Sequence, residues 1–192
     1  REQVKGGSNT IGMLEDVLAE TGDPFQSSIG IYTLYRHTDR RDQALKALDV
    51  AARLRTADPK VLAAQFQESV ADKRWDDAQK VVDKVAELNL DEWQGLFWLG
   101  RLEMAQSQFS RAATTLGRAL KDRPLYSEGW RLQGDAYRFA GSLIDAEKAY
   151  EQALKVSPDN LNALFNLYLT HDARGRDQLA LADLAKSSIK SP

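Results

Sequence analysis

Alanine stands at positions 44, 78, 112, 146 and 180 of this chain, at a constant step of 34 residues with no insertion between them. Other places keep the same step. Leu48, Val82, Leu116, Tyr150 and Leu184 form one series, Ala51, Val85, Ala119 and Ala153 a second, and Pro124, Pro158 and Pro192 a third. A fixed step of this length calls for stacked copies of one small unit, because each copy buries its apolar face only against its neighbours.

The unit reads most clearly over 127–160. Trp130, Leu132, Ala136 and Tyr137 follow a helical pattern, yet Gly134 sits among them. A mid-helix glycine costs about 1 kcal/mol relative to alanine. Close packing offsets that cost, so Gly134 is expected to face Ala146 inside a helical pair, with Trp130 and Tyr137 flanking the contact. The first helix is predicted over 127–140. Gly141 ends it in the left-handed conformation that a helix C-terminus often needs. A second helix is predicted over 143–156, and Pro158 prevents its continuation.

In these residues the chain resembles the tetratricopeptide repeat family, over about 25–192. Trp130, Gly134, Tyr137, Gly141, Ala146, Tyr150, Ala153 and Pro158 fall where the family has that residue or its usual class. Leu96, Leu99, Gly100, Ala112, Leu116, Ala119 and Pro124 match in the preceding unit. Gln133 and Glu103 depart, at places usually aliphatic and aromatic. Tyr32, Phe66 and Tyr168 stand where Gly100 and Gly134 do, which implies looser or different helix packing there. The resemblance implies an all-α fold, a right-handed α-solenoid of about five helix-turn-helix repeats. The expected repeats are 25–58, 59–92, 93–126, 127–160 and 161–192.

The ends are read separately. Residues 1–10 are polar and Gly-containing, as in a flexible segment. Residues 11–24 contain the amphipathic stretch IGMLEDVLAE, expected as an N-terminal cap or half-repeat helix. The last helix, expected over 178–190, carries Leu179, Leu184 and Ile189 beside Asp183 and Lys186. That is a partial cap, so either the native chain continues beyond Pro192 or this strip packs on a partner.

Several function classes are disfavoured. The net charge of −2 does not suit a nucleic-acid surface. Arg40 and Arg41 are bracketed by Asp39 and Asp42, a charge-balanced turn. No apolar run approaches the roughly 20 residues of a membrane helix, so direct membrane insertion is not expected. The absence of cysteine removes disulfides, thiolate nucleophiles and Cys-type zinc sites, and leaves the compartment open. His37 and His171 stand four repeats apart. His171 takes the place of Tyr137 and is expected in a helix interface, while His37 is expected at the surface. No nucleophile elbow or phosphate loop occurs. No enzymatic activity, cofactor or metal site is expected.

The resemblance places the first helix of each repeat on a concave binding face. Phe97, Arg131 and Phe165 occupy the same place in three successive units, with Arg101 and Arg138 nearby. These five are the expected partner-binding residues, since arginine and aromatic side chains are enriched at interface hot spots and arginine engages carboxylates in two-pronged fashion. Phe97 and Phe165 have a second reading, as residues partly buried between repeats. One branch of the family grips C-terminal carboxylates with Lys and Asn. The matching places here carry Ile29 and Thr33, Ala63 and Gln67, or Phe97 and Arg101, so that clamp is missing. The expected function is a non-enzymatic adaptor or scaffold that binds a peptide or protein segment, apolar with acidic character, in the groove. The alternatives are a structural or oligomerisation module associating through its terminal helices, and the regulatory part of a larger protein.

Overall fold

The computed structural model describes residues 22–88, 92–176, 178, 179 and 182. The expected segment 1–10, the N-terminal helix within 11–24 and most of the last helix over 178–190 lie outside the described residues. The described residues form nine α-helices and no strand. These are α1 (Pro24–His37), α2 (Arg41–Leu54), α3 (Pro59–Ala71), α4 (Trp75–Leu88), α5 (Glu92–Ala105), α6 (Phe109–Asp122), α7 (Ser127–Phe139), α8 (Leu143–Val156) and α9 (Leu161–Ala173). The fold is an all-α helical repeat.

Local chemistry starts the first helices. Asp23 accepts a hydrogen bond from Phe25 N at 2.9 Å, Asp58 from Lys60 N at 2.9 Å and Asn160 from Ala163 N at 3.0 Å. Each satisfies a backbone donor that the helix itself leaves unpaired. Pro24 and Pro59 occupy the first turn, where a missing N–H costs nothing.

The turn inside each pair is set by one left-handed residue. These are Asp39 (φ 56°), Lys73 (φ 55°), Ser107 (φ 60°), Gly141 (φ 81°) and Gly175 (φ 66°), again 34 apart. Three of the five carry a Cβ in a conformation that costs about 1 kcal/mol or more. Gly141→Ala should therefore destabilise by about 1–2 kcal/mol. Lys73→Gly should be neutral or stabilise by up to about 1 kcal/mol, because strain relief competes with a larger unfolded ensemble. Urea unfolding of the two variants checks this, and a Gly141→Ala variant as stable as the parent would contradict it.

The chain divides into two compact units, residues 1–81 and 82–192, with the division inside α4. In the first, α1 packs on α2 and α2 on α3. Phe25, Tyr32, Ala44, Leu48, Ala51, Val61 and Ala64 form its core. In the second, α5–α6 and α7–α8 pair as hairpins, α6 packs on α7, and α8 on α9. There α5 also meets α7, and α7 meets α9, so three first helices lie side by side. Ala44, Ala78, Ala112 and Ala146 are all wholly buried.

The partner of Gly134 differs from the expected one. A Cβ added at Gly134 would lie 2.5 Å from Tyr150 Cε1, not against Ala146. Tyr150 follows Ala146 by one helical turn on the same face, and its ring reaches over the glycine. Gly100 repeats the arrangement with Leu116, whose Cγ would lie 2.6 Å from an added Cβ. Close approach between repeats uses other small residues. Gly95 sits against Ala86, and Gly129 against Leu120, at added-Cβ distances of 2.9 and 2.8 Å.

Two departures from the repeat pattern have structural explanations. Gln133 is buried and donates to the Ala113 carbonyl at 3.0 Å. Gly117 leaves the space for it, since an added Cβ there would lie 2.7 Å from Gln133 Nε2. Tyr32, at a glycine place, is buried in the core and donates its hydroxyl to Glu68 at 3.0 Å.

Candidate protein-binding face

The five residues singled out in the sequence stand on α5, α7 and α9, three helices that lie side by side, and by exposure they fall into two groups. Phe97 and Arg131 are largely buried. Phe97 is 8% exposed and packs edge-on against Tyr126, with ring centroids 5.1 Å apart. Arg131 is bracketed by acids on its own helix. Its Nη2 lies 2.5 Å from Glu128, its Nη1 2.5 Å from Asp135, and its Nε donates to Glu128 at 2.7 Å. These hydrogen bonds, Glu128 first, raise the Arg131 pKa and hold its charge in place.

Arg101, Arg138 and Phe165 reach the surface. Arg101 lies over the Trp98 ring at 4.9 Å, a cation–π geometry. Burial lowers its pKa, against the attraction of neighbouring Tyr126 and Glu128. The Arg138 guanidinium lies 4.5 Å over the Phe139 ring and beside the Tyr150 hydroxyl. Phe165 is half exposed and meets Tyr168 at 6.0 Å. Leu169, one turn further along α9, is partly exposed.

Asp135 organises this face, and its role does not follow from spacing alone. It is 8% exposed. Its Oδ1 accepts from the Tyr150 hydroxyl and from Asn166 Nδ2, both at 2.7 Å, and its Oδ2 from Arg131. One carboxylate thus ties α7, α8 and α9. The Arg131–Asp135 pair, four residues apart, is legible in the sequence. The tyrosine and asparagine that complete it come from other helices. Burial, then this hydrogen bond, push the Tyr150 pKa well above its ordinary value.

Comparable buried acids lock other junctions. In the first unit Glu68, 1% exposed, accepts from Tyr32 and pairs with Arg36 at 2.8 Å and Arg41 at 3.4 Å. Burial and that hydrogen bond push the Tyr32 hydroxyl up to about 12. In the second, Glu147 on α8 pairs with Arg174 and with Arg176 at 2.7 Å, and lies 3.4 Å from buried His171. His171 is 5% exposed, in the interface expected for it, and His37 is at the surface. Among the described residues no group of three or more His, Asp or Glu is placed to hold a metal ion. No helix among them is long and apolar enough to cross a membrane. Of the terminal strip, Leu179 is 47% exposed, and Leu184 and Ile189 lie outside the described residues.

Comparison with known proteins places this arrangement. A tetratricopeptide repeat family model matches residues 99–143 and 131–192. The TPR repeat-containing protein PA0015 of Pseudomonas aeruginosa is 41% identical over 58 residues, 30% of this chain. That match spans 55% of the curated relative, about half its length. Among solved structures, a tetratricopeptide repeat protein from Parabacteroides merdae has a TM-score of 0.78 at 14% identity, covering 100% of this chain and 75% of that one. TTC0263 of Thermus thermophilus has a TM-score of 0.73 at 20% identity, covering 88% and 92%. YrrB, described as a TPR protein with an unusual peptide-binding site, has a TM-score of 0.57 at 19% identity, covering 86% of each. At these identities the structural likeness is one of fold. With the matched repeats, the 34-residue step that continues before them and the stacked helix pairs, the chain belongs to the tetratricopeptide repeat family.

Proposed function

We propose that the chain is a non-enzymatic interaction module that binds a segment of another protein along the face shared by α5, α7 and α9. Tetratricopeptide repeats generally mediate protein–protein contacts and are generally non-catalytic, and YrrB is described as having a peptide-binding site on this fold. The observation that carries the reading is the grouping of surface-reaching side chains on three adjacent first helices. Arg101 on α5, Arg138 on α7, and Phe165 and Leu169 on α9 combine apolar area with positive charge. Phe97 and Arg131 support the face from below, Phe97 through Tyr126 and Arg131 through its two acids. The proposed register is five repeats, 25–58 through 161–192.

The test compares the parent chain with an Arg138→Glu, Phe165→Ala double variant. Both are immobilised, exposed to lysate of the source organism, and the retained proteins identified by mass spectrometry and rebound in purified form. A purified protein held about tenfold less tightly by the variant supports the face, since one interface hot spot carries that much binding energy. Equal affinity for both chains, with unchanged helix content, would remove this face as the binding site.

A further inference from the structure

The end of α7 carries an aromatic pair that the repeat does not require. Phe139 stacks on Phe109 of α6, with ring centroids 5.1 Å apart and planes inclined at 28°. Phe139 nevertheless remains 52% exposed. Its equivalents one step of 34 away, Ala105 and Ala173, are alanines, so the fold does without an aromatic there. Ile144, across the same turn, is 57% exposed.

The cation beside this pair is also unlike its neighbours. The Arg138 guanidinium lies 4.5 Å over the Phe139 ring. No carboxylate pairs with it among the described residues, and its Nε is buried without a hydrogen-bond partner there. Arg131, one turn earlier on the same helix, already has Glu128 and Asp135. Asp135 in turn is saturated by Arg131, Tyr150 and Asn166. Negative charge on this side of α7 is spent on internal pairs, and Arg138 is left with a ring and a hydroxyl. A guanidinium half-removed from water gains most from a carboxylate, which it can meet with two parallel hydrogen bonds. The stacked rings beside it offer apolar area to whatever carries that carboxylate.

We infer that the segment bound by this protein is acidic, with a Glu or Asp carboxylate on Arg138 and an adjacent apolar side chain on the Phe109–Phe139 pair. The inference rests on the proposed face and names the chemistry of its occupant. It also shifts the charge-reading role from Arg131 to Arg138.

The experiment uses three fluorescein-labelled 12-residue peptides (up to about 40 Å long when extended) that share one pattern of Leu and Phe and differ only in carrying Glu, Gln or Lys at the intervening positions. Anisotropy titrations with the full chain should rank Glu above Gln above Lys, with about tenfold separating the first two. Arg138→Gln should abolish that ranking, and Phe139→Ala should weaken all three peptides, each with unchanged circular dichroism and melting temperature. Arg138→Lys should restore part of the Glu preference, since it returns charge without the fork. Binding of none of the peptides overturns the inference, as does a Glu preference that survives Arg138→Gln. If the three bind alike and only Phe165→Ala weakens them, the proposed face stands and its acidic occupant falls. If sedimentation shows self-association that Phe139→Ala removes, the patch is covered by a second copy of the chain and the inference is again overturned.

Discussion

Gly134→Leu should lower stability by about 3 kcal/mol or more, among the largest effects of any single change in the second unit. Even a methyl group at this position would sit 2.5 Å from Tyr150 Cε1 and 2.7 Å from Cδ1. Tyr150 is itself wholly buried, so its ring has nowhere to retreat. The helices must part, and the buried Ala136, Ala146 and Ala153 lose contact with them. Gly134→Ala should also destabilise, although alanine recovers about 1 kcal/mol of helix propensity. A double-mutant cycle isolates the cause. In a Tyr150→Ala background the penalty of Gly134→Ala should largely vanish, because the clashing ring is gone. Equal penalties in both backgrounds, by urea unfolding, would mean that the close approach of α7 and α8 is not what Gly134 serves.

Asp135→Ala should cost about 3–5 kcal/mol, for a different reason. It removes the acceptor of three donors at once: Arg131, the Tyr150 hydroxyl and Asn166. Two of them lie on neighbouring helices, so α7, α8 and α9 lose their common tie. The Arg131 side chain, 15% exposed, keeps only Glu128. Asp135→Asn keeps one acceptor oxygen and should fall between the parent and Asp135→Ala. Tyrosine ionisation gives a second readout. The folded pKa of Tyr150 is raised, so its neutral form stabilises the fold, and that contribution is lost as pH rises above the unfolded value of about 10. In Asp135→Asn the hydrogen-bonded carboxylate is gone and Tyr150 should ionise at lower pH than in the parent. A melting temperature for Asp135→Ala within a degree or two of the parent, about 0.5 kcal/mol on this scale, would sink the idea of a latch.

Much of the repeat was legible because its rules are local or strictly periodic. Gly141 announces the turn, and Pro158 the end of α8, through backbone constraints that need no partner. The buried alanines announce themselves by recurring in one register. What spacing did not reveal was which side chain meets which across a helix pair. Ala146 and Tyr150 share a face of α8, and periodicity gives no way to choose between them as the neighbour of Gly134. The choice depends on how far a tyrosine ring reaches, which is a matter of three-dimensional packing. The left-handed turns show the same limit. Gly141 and Gly175 are recognisable by residue type, whereas Asp39, Lys73 and Ser107 adopt the same conformation although each carries a Cβ.

The proposed binding face divides along the same line. Sequence placed Phe97, Arg101, Arg131, Arg138 and Phe165 on first helices, and the i, i+4 relation of Arg131 to Asp135 was there to be read. It could not separate the arginine whose charge is neutralised from the one whose charge is not. That depends on Tyr150 and Asn166 arriving from α8 and α9 to complete the Asp135 cluster, and on Phe109 arriving from α6 beneath Phe139. The 34-residue step, the all-α repeat and several helix ends are written in the chain itself, because those follow from a periodic burial pattern and from backbone constraints. Which polar groups satisfy one another, and which are left without a carboxylate, emerges only when the helices pack, because hydrogen bonds and ion pairs are short-ranged and their members here stand up to 36 residues apart along the chain.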